Sequence, residues 1–137
     1  MLTGLEGKVT VDDLPWIPLG EGLEGNAVKV LRVSEETGMY SLLIRAKAGT
    51  VNQAHTHSGA ADFYILEGRL EYRLGEACAG DWMYEPAGAE HEATTATEDT
   101  LYLANVYGPI IFYNDDGSVD FVQDWRVIKA LAESAAA

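Results

Sequence analysis

His55 and His57 lie one residue apart in the stretch NQAHTHSGAADFYILEG, residues 52–68. In an extended strand, residues i and i+2 face the same side, so this spacing sets two imidazoles next to each other. If the strand begins as early as Val51, then Val51 and Gln53 share that side. Paired neutral imidazoles suit a first-row transition metal. An exposed polar strand would carry the same pattern, and the pair alone leaves both readings open.

A second segment, GDWMYEPAGAEHEATT (80–95), changes the balance. It runs Gly80, five residues, Pro86-Ala87-Gly88, two residues, His91. The first segment has a comparable frame: Gly49, five residues, His55-Thr56-His57, then Gly68. These frames resemble the two motifs of the cupin superfamily (RmlC-like), small β-barrels that hold a metal within the barrel. The chain's three histidines fall on that family's three histidine positions. The resemblance implies an all-β, single-domain cupin barrel, a double-stranded β-helix or jelly roll, with His55, His57 and His91 as metal ligands. A barrel of about eight strands has room inside for side chains and one small ligand.

One departure matters. Most cupins supply a glutamate seven residues before the glycine that closes the first motif, and here that position is Ala61. Asp62 is adjacent, but strand alternation turns it to the other side unless a bulge intervenes. Thr95 stands where an asparagine often closes the second motif. The resulting expectation is a three-histidine site with open coordination positions, whose metal keeps its full double charge and favours a bidentate anionic oxygen ligand and dioxygen. Three histidines and a water are equally a zinc set.

The chain further resembles the three-histidine cupin dioxygenases that include acetylacetone-cleaving dioxygenase and 2,4'-dihydroxyacetophenone dioxygenase. The shared features are an early Trp-x-Pro (WIPLG, 16–20), the lead-in ETGMYSLLIRAKAGT, and an aromatic strand entering an Asp-Gly turn (IIFYNDDGSVDF). What this implies is a non-haem Fe(II) enzyme that cleaves a C–C bond of a β-diketone or hydroxy-ketone with dioxygen; zinc, nickel or manganese could accompany the isolated protein. By spacing to the histidines, the group's second-layer glutamate and its metal-side arginine fall on Glu85 and Arg73. Glu85 would hold a ligand or water, and Arg73 would steady a substrate oxygen. Phe63 and Ile65, in phase with Ala61, are candidate pocket walls, or plain core. The alternatives are a non-catalytic metal- or ligand-binding cupin acting as sensor or store, and another cupin enzyme such as a thiol dioxygenase or isomerase. A thiol dioxygenase would need an arginine for its substrate carboxylate, and Arg73 is the candidate.

Strands must position these residues, and period-2 patterns dominate the chain. NAVKVLRV (26–33) and MYSLLIRAK (39–47) alternate, the second placing Tyr40, Leu42, Ile44 and Ala46 on one face. ADFYILEG and LEYRLGE flank Gly68-Arg69, read as a tight hairpin. GDWMYEP, TLYLANVYG and PIIFYN follow, then the turn NDDGS. Phe121, Trp125, Ile128 and Leu131 recur at helical spacing, so a short helix is expected over about 120–134. The core barrel is expected over about 26–115 within a single domain, 1–137.

Of 137 residues, 22 are acidic and 9 basic, a net charge of −13 that argues against nucleic acid or an anionic membrane as partner. No apolar run reaches the ~20 residues of a membrane span, and MLTGLEGKVTVDD shows no export signal. The single cysteine, Cys78, sits in a small-residue turn and permits no internal disulfide, which suits a cytoplasmic location. The aromatic-rich YGPIIFYN segment and Trp125 suggest surplus apolar surface, hence a homodimer or a homotetramer built from dimers.

Overall fold

A computed structural model of the chain describes residues 1–20, 22–91 and 93–136, with His91 described in its backbone alone. Short β1 (Ile17–Pro18) leads into β2 (Asn26–Val33) and β3 (Tyr40–Ala46). Two short strands follow, β4 (Val51–Asn52) and β5 (His55–His57), then β6 (Ala61–Glu67), β7 (Arg69–Tyr72), β8 (Gly75–Cys78) and β9 (Trp82–Glu85). The chain continues through β10 (Glu90–His91), β11 (Thr94–Ala96), β12 (Thr100–Val106), β13 (Ile110–Tyr113) and β14 (Val119–Gln123) to helix α1 (Trp125–Ala136).

The strands form three antiparallel sheets, in the orders β1-β2-β3-β12-β6-β9, β10-β5-β13-β14 and β4-β11-β7-β8. Sequence neighbours often lie in different sheets, so the chain winds around a shared interior. Alternation drives this arrangement. Along β12, Thr100, Tyr102, Ala104 and Val106 are buried while the residues between them are partly exposed. Tyr40, Leu42 and Ala46 of β3 are buried as their spacing requires, and they join Val28, Val30, Phe112 and Ile128 in one apolar cluster. Full burial of a valine, leucine, isoleucine or phenylalanine side chain in this cluster stabilises the fold by about 1.5–3 kcal/mol.

The hairpin expected at Gly68-Arg69 is a corner instead. β6 pairs with β12 and β9, whereas β7 pairs with β11 and β8, so the chain changes sheets at Gly68. Gly68 has φ +91°, and a Cβ there would run into the Asp99 carbonyl and stand 2.6 Å from Thr100 Cα. Only glycine fits that backbone and that space. The tight turn lies further on, at Arg73-Leu74, where Tyr72 pairs with Gly75.

The helix also begins later than its periodicity suggests. Residues 120–123 belong to β14, which returns from the 114–118 turn to pair with β13. Asp124 then accepts backbone hydrogen bonds from Arg126 (3.0 Å) and Val127 (3.1 Å), the pattern that starts a helix. Turn geometry fixed the strand, and the apolar spacing of Phe121 was compatible with either form.

Surface placement differs in part. Ile110 and Phe112 of the YGPIIFYN segment are buried and Tyr107 is exposed, while further exposed large apolar side chains include Tyr64, Leu66, Trp82 and Tyr84 on β6 and the edge strand β9. No helix among the described residues is long and apolar enough to cross a membrane.

Candidate metal centre

β5 is held on both edges. β10 pairs with it through Glu90↔Thr56 and His91↔His55, and β13 through Ile110↔His57 and Phe112↔His55. Beyond its end, Gly59 lies so close to the 107–108 backbone that a Cβ would come within 2.9 Å of it. Ser58 hydrogen-bonds the Pro109 carbonyl through both its backbone N–H (3.0 Å) and its hydroxyl (2.6 Å). Two residues of β5 therefore sit on a clamped backbone. His57 is buried and His55 half-buried.

The expectation that Val51 and Gln53 would extend this face fails. The chain leaves the sheet between β4 and β5, and Asn52 reaches the interior instead, while Val51 is exposed.

Glu85 ends β9 directly opposite Ala61 of β6. Ala61 is fully buried, and its methyl group occupies little space beside the Glu85 side chain. The turn through Pro86 and Gly88 ties this strand end to the histidines: Gly88 N–H donates to the His57 carbonyl (2.7 Å), and His57 N–H to the Ala89 carbonyl (3.0 Å). As a result His57 Nε2 and Glu85 Oε2 lie 2.7 Å apart, with the two side chains 2% and 13% exposed. The carboxylate missing at position 61 has a counterpart one strand over. This is where spacing to the histidines put the glutamate expected to hold a ligand, and it stands within reach of His57.

His55, His57 and Glu85 each offer a ligand atom within 4.8 Å of the others. Ligands ~2.0–2.2 Å from a shared metal would lie about 3–4 Å apart, so small side-chain adjustments close this set. His55 Nδ1 lies 3.0 Å from the Gln53 carbonyl, to which it can only donate. That bond fixes the tautomer and leaves Nε2 with its lone pair for a metal, the usual arrangement of a ligating histidine. The His55 and His57 rings meet edge to face at 5.0 Å, and Phe112 backs His55 at 5.2 Å. The donor set fits a divalent transition metal. The side chain of His91 lies outside the described residues; its backbone is the register partner of His55.

The cluster opens on a cavity of about 110 Å³ whose apolar lining includes Leu42, Ile44, Phe63 and Phe112. Tyr102 also lines it, its hydroxyl pushed above the usual phenol range, chiefly by burial and then by the Glu85 charge. This phenol is neutral across the physiological range. No lysine or arginine among the described residues lines the cavity.

The remaining sequence candidates divide. Phe63 lines the cavity, whereas Ile65 is fully buried in the core, opposite Tyr102 in the sheet, and does not line it. Arg73 occupies the tight turn after β7 rather than a strand interior, so it lies outside the cavity; its Nη1 donates to the Glu90 carbonyl at 3.0 Å. Asp62 turns away as alternation requires, accepting from Asn105 (2.9 Å) and Tyr107 (2.8 Å). Asn26, Asn52, Tyr102 and Gln123 also line the cavity and were not foreseen. Asn26 could have been noticed as a polar residue in phase with the buried Val28 and Val30.

Comparison with known proteins follows the same lines. Residues 6–111 match the ChrR cupin-like domain family. The chain belongs to this cupin family. This cupin is 26% identical over 122 residues to the acetylacetone-cleaving enzyme of Acinetobacter johnsonii, covering 83% of this chain and 80% of that enzyme. Its structure resembles the acetylacetone dioxygenase from the same organism with a TM-score of 0.88 at 24% identity, covering 96% of this cupin and 93% of the other chain. A protein from Methylibium petroleiphilum, provisionally assigned as an acetylacetone dioxygenase, gives a TM-score of 0.87 at 28% identity over 92% of this cupin and 93% of its own chain.

Proposed function

We propose that this cupin is a non-haem Fe(II) dioxygenase that cleaves a C–C bond in a small β-diketone or hydroxy-ketone. The observation that carries the proposal is a His55/His57/Glu85 cluster opening on a largely apolar cavity that no lysine or arginine among the described residues lines, in a chain similar to an acetylacetone-cleaving enzyme. His91 is proposed as a further imidazole ligand, supported by its backbone register with His55. A bound iron would supply Lewis acidity toward the ketone oxygens and the redox chemistry that dioxygen requires; zinc, nickel or manganese could occupy the same donors in isolated protein.

The chain's own residues have separate tasks. Gln53 orients His55 through its carbonyl, and Glu85 orients His57 and adds a negative charge that offsets the metal's. Phe63, Leu42 and Ile44 exclude water and hold the apolar part of a small ketone. Tyr102, kept neutral, can donate a hydrogen bond to a substrate oxygen. Arg73 would act indirectly, by fixing the Glu90 carbonyl beside His91. In the reaction one dioxygen is consumed per ketone and one C–C bond breaks. One oxygen atom goes to a carboxylic acid and one to the carbonyl product, and the substrate supplies all four electrons. The absence of a cation among the cavity's described lining disfavours a substrate carboxylate, and with it the thiol dioxygenase reading.

The test is product analysis under ¹⁸O₂ with iron(II)-loaded protein and a panel of diketones and hydroxy-ketones. One labelled oxygen in each of two cleavage products is the expected result. Unlabelled products, or no cleavage across the panel, would overturn the proposal. One second reading is a non-catalytic metal- or ligand-binding module, because the family is described by the ChrR cupin-like domain and the fold is shared, at a TM-score of 0.59, with the anti-sigma ChrR seen in complex with SigE from Rhodobacter sphaeroides. Stoichiometric metal and ketone binding without turnover would support that reading.

A further inference from the structure

The cavity has a second polar region, on strands other than those that carry the metal-binding cluster. Asn26 opens β2 and is 5% exposed; Asn52 ends β4, and both line the cavity. Asn26 Nδ2 spends its hydrogens on the Leu23 carbonyl at 3.1 Å and on Asn52 Oδ1 at 2.6 Å. Flipping the Asn26 amide would set its oxygen against two acceptors, so the orientation is fixed. Asn26 Oδ1 is then buried with no hydrogen-bond partner among the described residues. Asn52, its oxygen engaged by Asn26, keeps an NH₂ group whose hydrogen bonds no described residue accepts.

An amide oxygen is seldom buried without a donor, because it gives up its water for nothing in return. The pair offers one acceptor, Asn26 Oδ1, and one donor group, Asn52 Nδ2. A ketone oxygen could use the donor but not the acceptor. A carboxylate would be repelled by the acceptor and meets no lysine or arginine among the described lining residues. A hydroxyl donates once and accepts as well, so it answers both groups. We infer that Asn26 and Asn52 form a hydroxyl-recognising subsite, and that the preferred ligand is a neutral ketone carrying a free hydroxyl in addition to the oxygens that face the metal-binding cluster. This rests on the proposal that the cavity is the substrate site, and it selects among the ketones that proposal allows.

The experiment compares pentane-2,4-dione with 1-hydroxypentane-2,4-dione by anaerobic titration calorimetry on the iron(II)-loaded full chain, with oxygen uptake followed separately. Wild-type protein is expected to bind the hydroxylated diketone roughly tenfold more tightly, the worth of one well-made hydrogen bond in a buried site. Asn26→Leu should abolish the preference, read as the ratio of the two diketone affinities measured in that same variant. Asn52→Ala leaves the Asn26–Leu23 bond in place and should reduce the preference in the same direction, which keeps the test open if Asn26→Leu does not fold. Equal affinities in wild type, the result expected if the pair holds only a water, overturn the inference, as does a preference that survives both variants or a failure of both diketones to bind. Equal binding with oxygen uptake would remove the subsite and leave the dioxygenase standing. A hydroxyl preference without oxygen uptake would do the reverse.

Discussion

Replacing Glu85 with glutamine keeps the shape of the side chain and removes its charge, which isolates what the carboxylate does beside His57. The contact is 2.7 Å long and almost fully shielded from water, so solvent screening weakens it little. A close polar contact to a charged carboxylate in such a site contributes on the order of 1.5–3 kcal/mol. With an unfolding entropy of roughly 2.1 cal/mol/K per residue, a loss of that size in a chain of 137 residues lowers the melting temperature of metal-free protein by about 5–10 °C. Metal affinity should fall as well, by about 10–100-fold if Glu85 only orients His57 and by more if it binds the metal. The assays are calorimetric melting of the apoprotein and a chelator competition titration with iron(II) or cobalt(II). A melting temperature within 1 °C of wild type together with unchanged metal affinity would refute the reasoning, because it would mean that the His57–Glu85 contact does nothing in either state.

Ala61→Glu sets a second carboxylate at a fully buried position directly opposite Glu85, so apoprotein should lose about 1–3 kcal/mol from overpacking and like-charge repulsion, seen in urea titrations, while metal binds more tightly and oxygen uptake declines. Arg73→Gln should change metal affinity by less than about tenfold and leave kcat/KM for neutral ketones within the same range, since the guanidinium holds the Glu90 carbonyl; a loss of 100-fold or more in kcat/KM alone would place Arg73 on the substrate. Tyr40 and Tyr102 have pKa values raised mainly by burial, so the folded protein retains protons that the unfolded chain releases. Their stabilisation is complete below the ordinary tyrosine value of 10.0 and is lost as pH rises above it; absorbance titration at alkaline pH should show two of the seven tyrosines ionising only as the protein unfolds.

The histidine pair, the turn through Pro86 and Gly88 and most strands were legible because strand alternation and turn chemistry are local. Asp62 was placed correctly by the same period, and Asn105 and Tyr107 give the outward carboxylate its partners. What local pattern could not supply was register. That Ala61 faces Glu85 across two strands, making the lost carboxylate and the retained one neighbours, depends on how β6 pairs with β9, and no spacing along the chain encodes it. The setting of Arg73 was hidden for a related reason: the Gly68 corner moved the hairpin turn five residues downstream and put the arginine in it. The start of α1 was obscured because Phe121 satisfies a strand and a helix equally, and the Asp124 hydrogen bonds decide between them. The cavity's amide side chains come from β2, β4 and β14, whose convergence is a property of the whole fold.

The most direct measurement is oxygen consumption by iron(II)-reconstituted protein with saturating hydroxylated or plain β-diketone, run beside His57→Ala and metal-free controls. A metal-dependent dioxygenase built on this cluster consumes one dioxygen per ketone, in proportion to bound iron, and loses the activity with His57. Uptake that is independent of iron or unaffected by His57→Ala, or no ketone-dependent uptake at full iron occupancy, would contradict it.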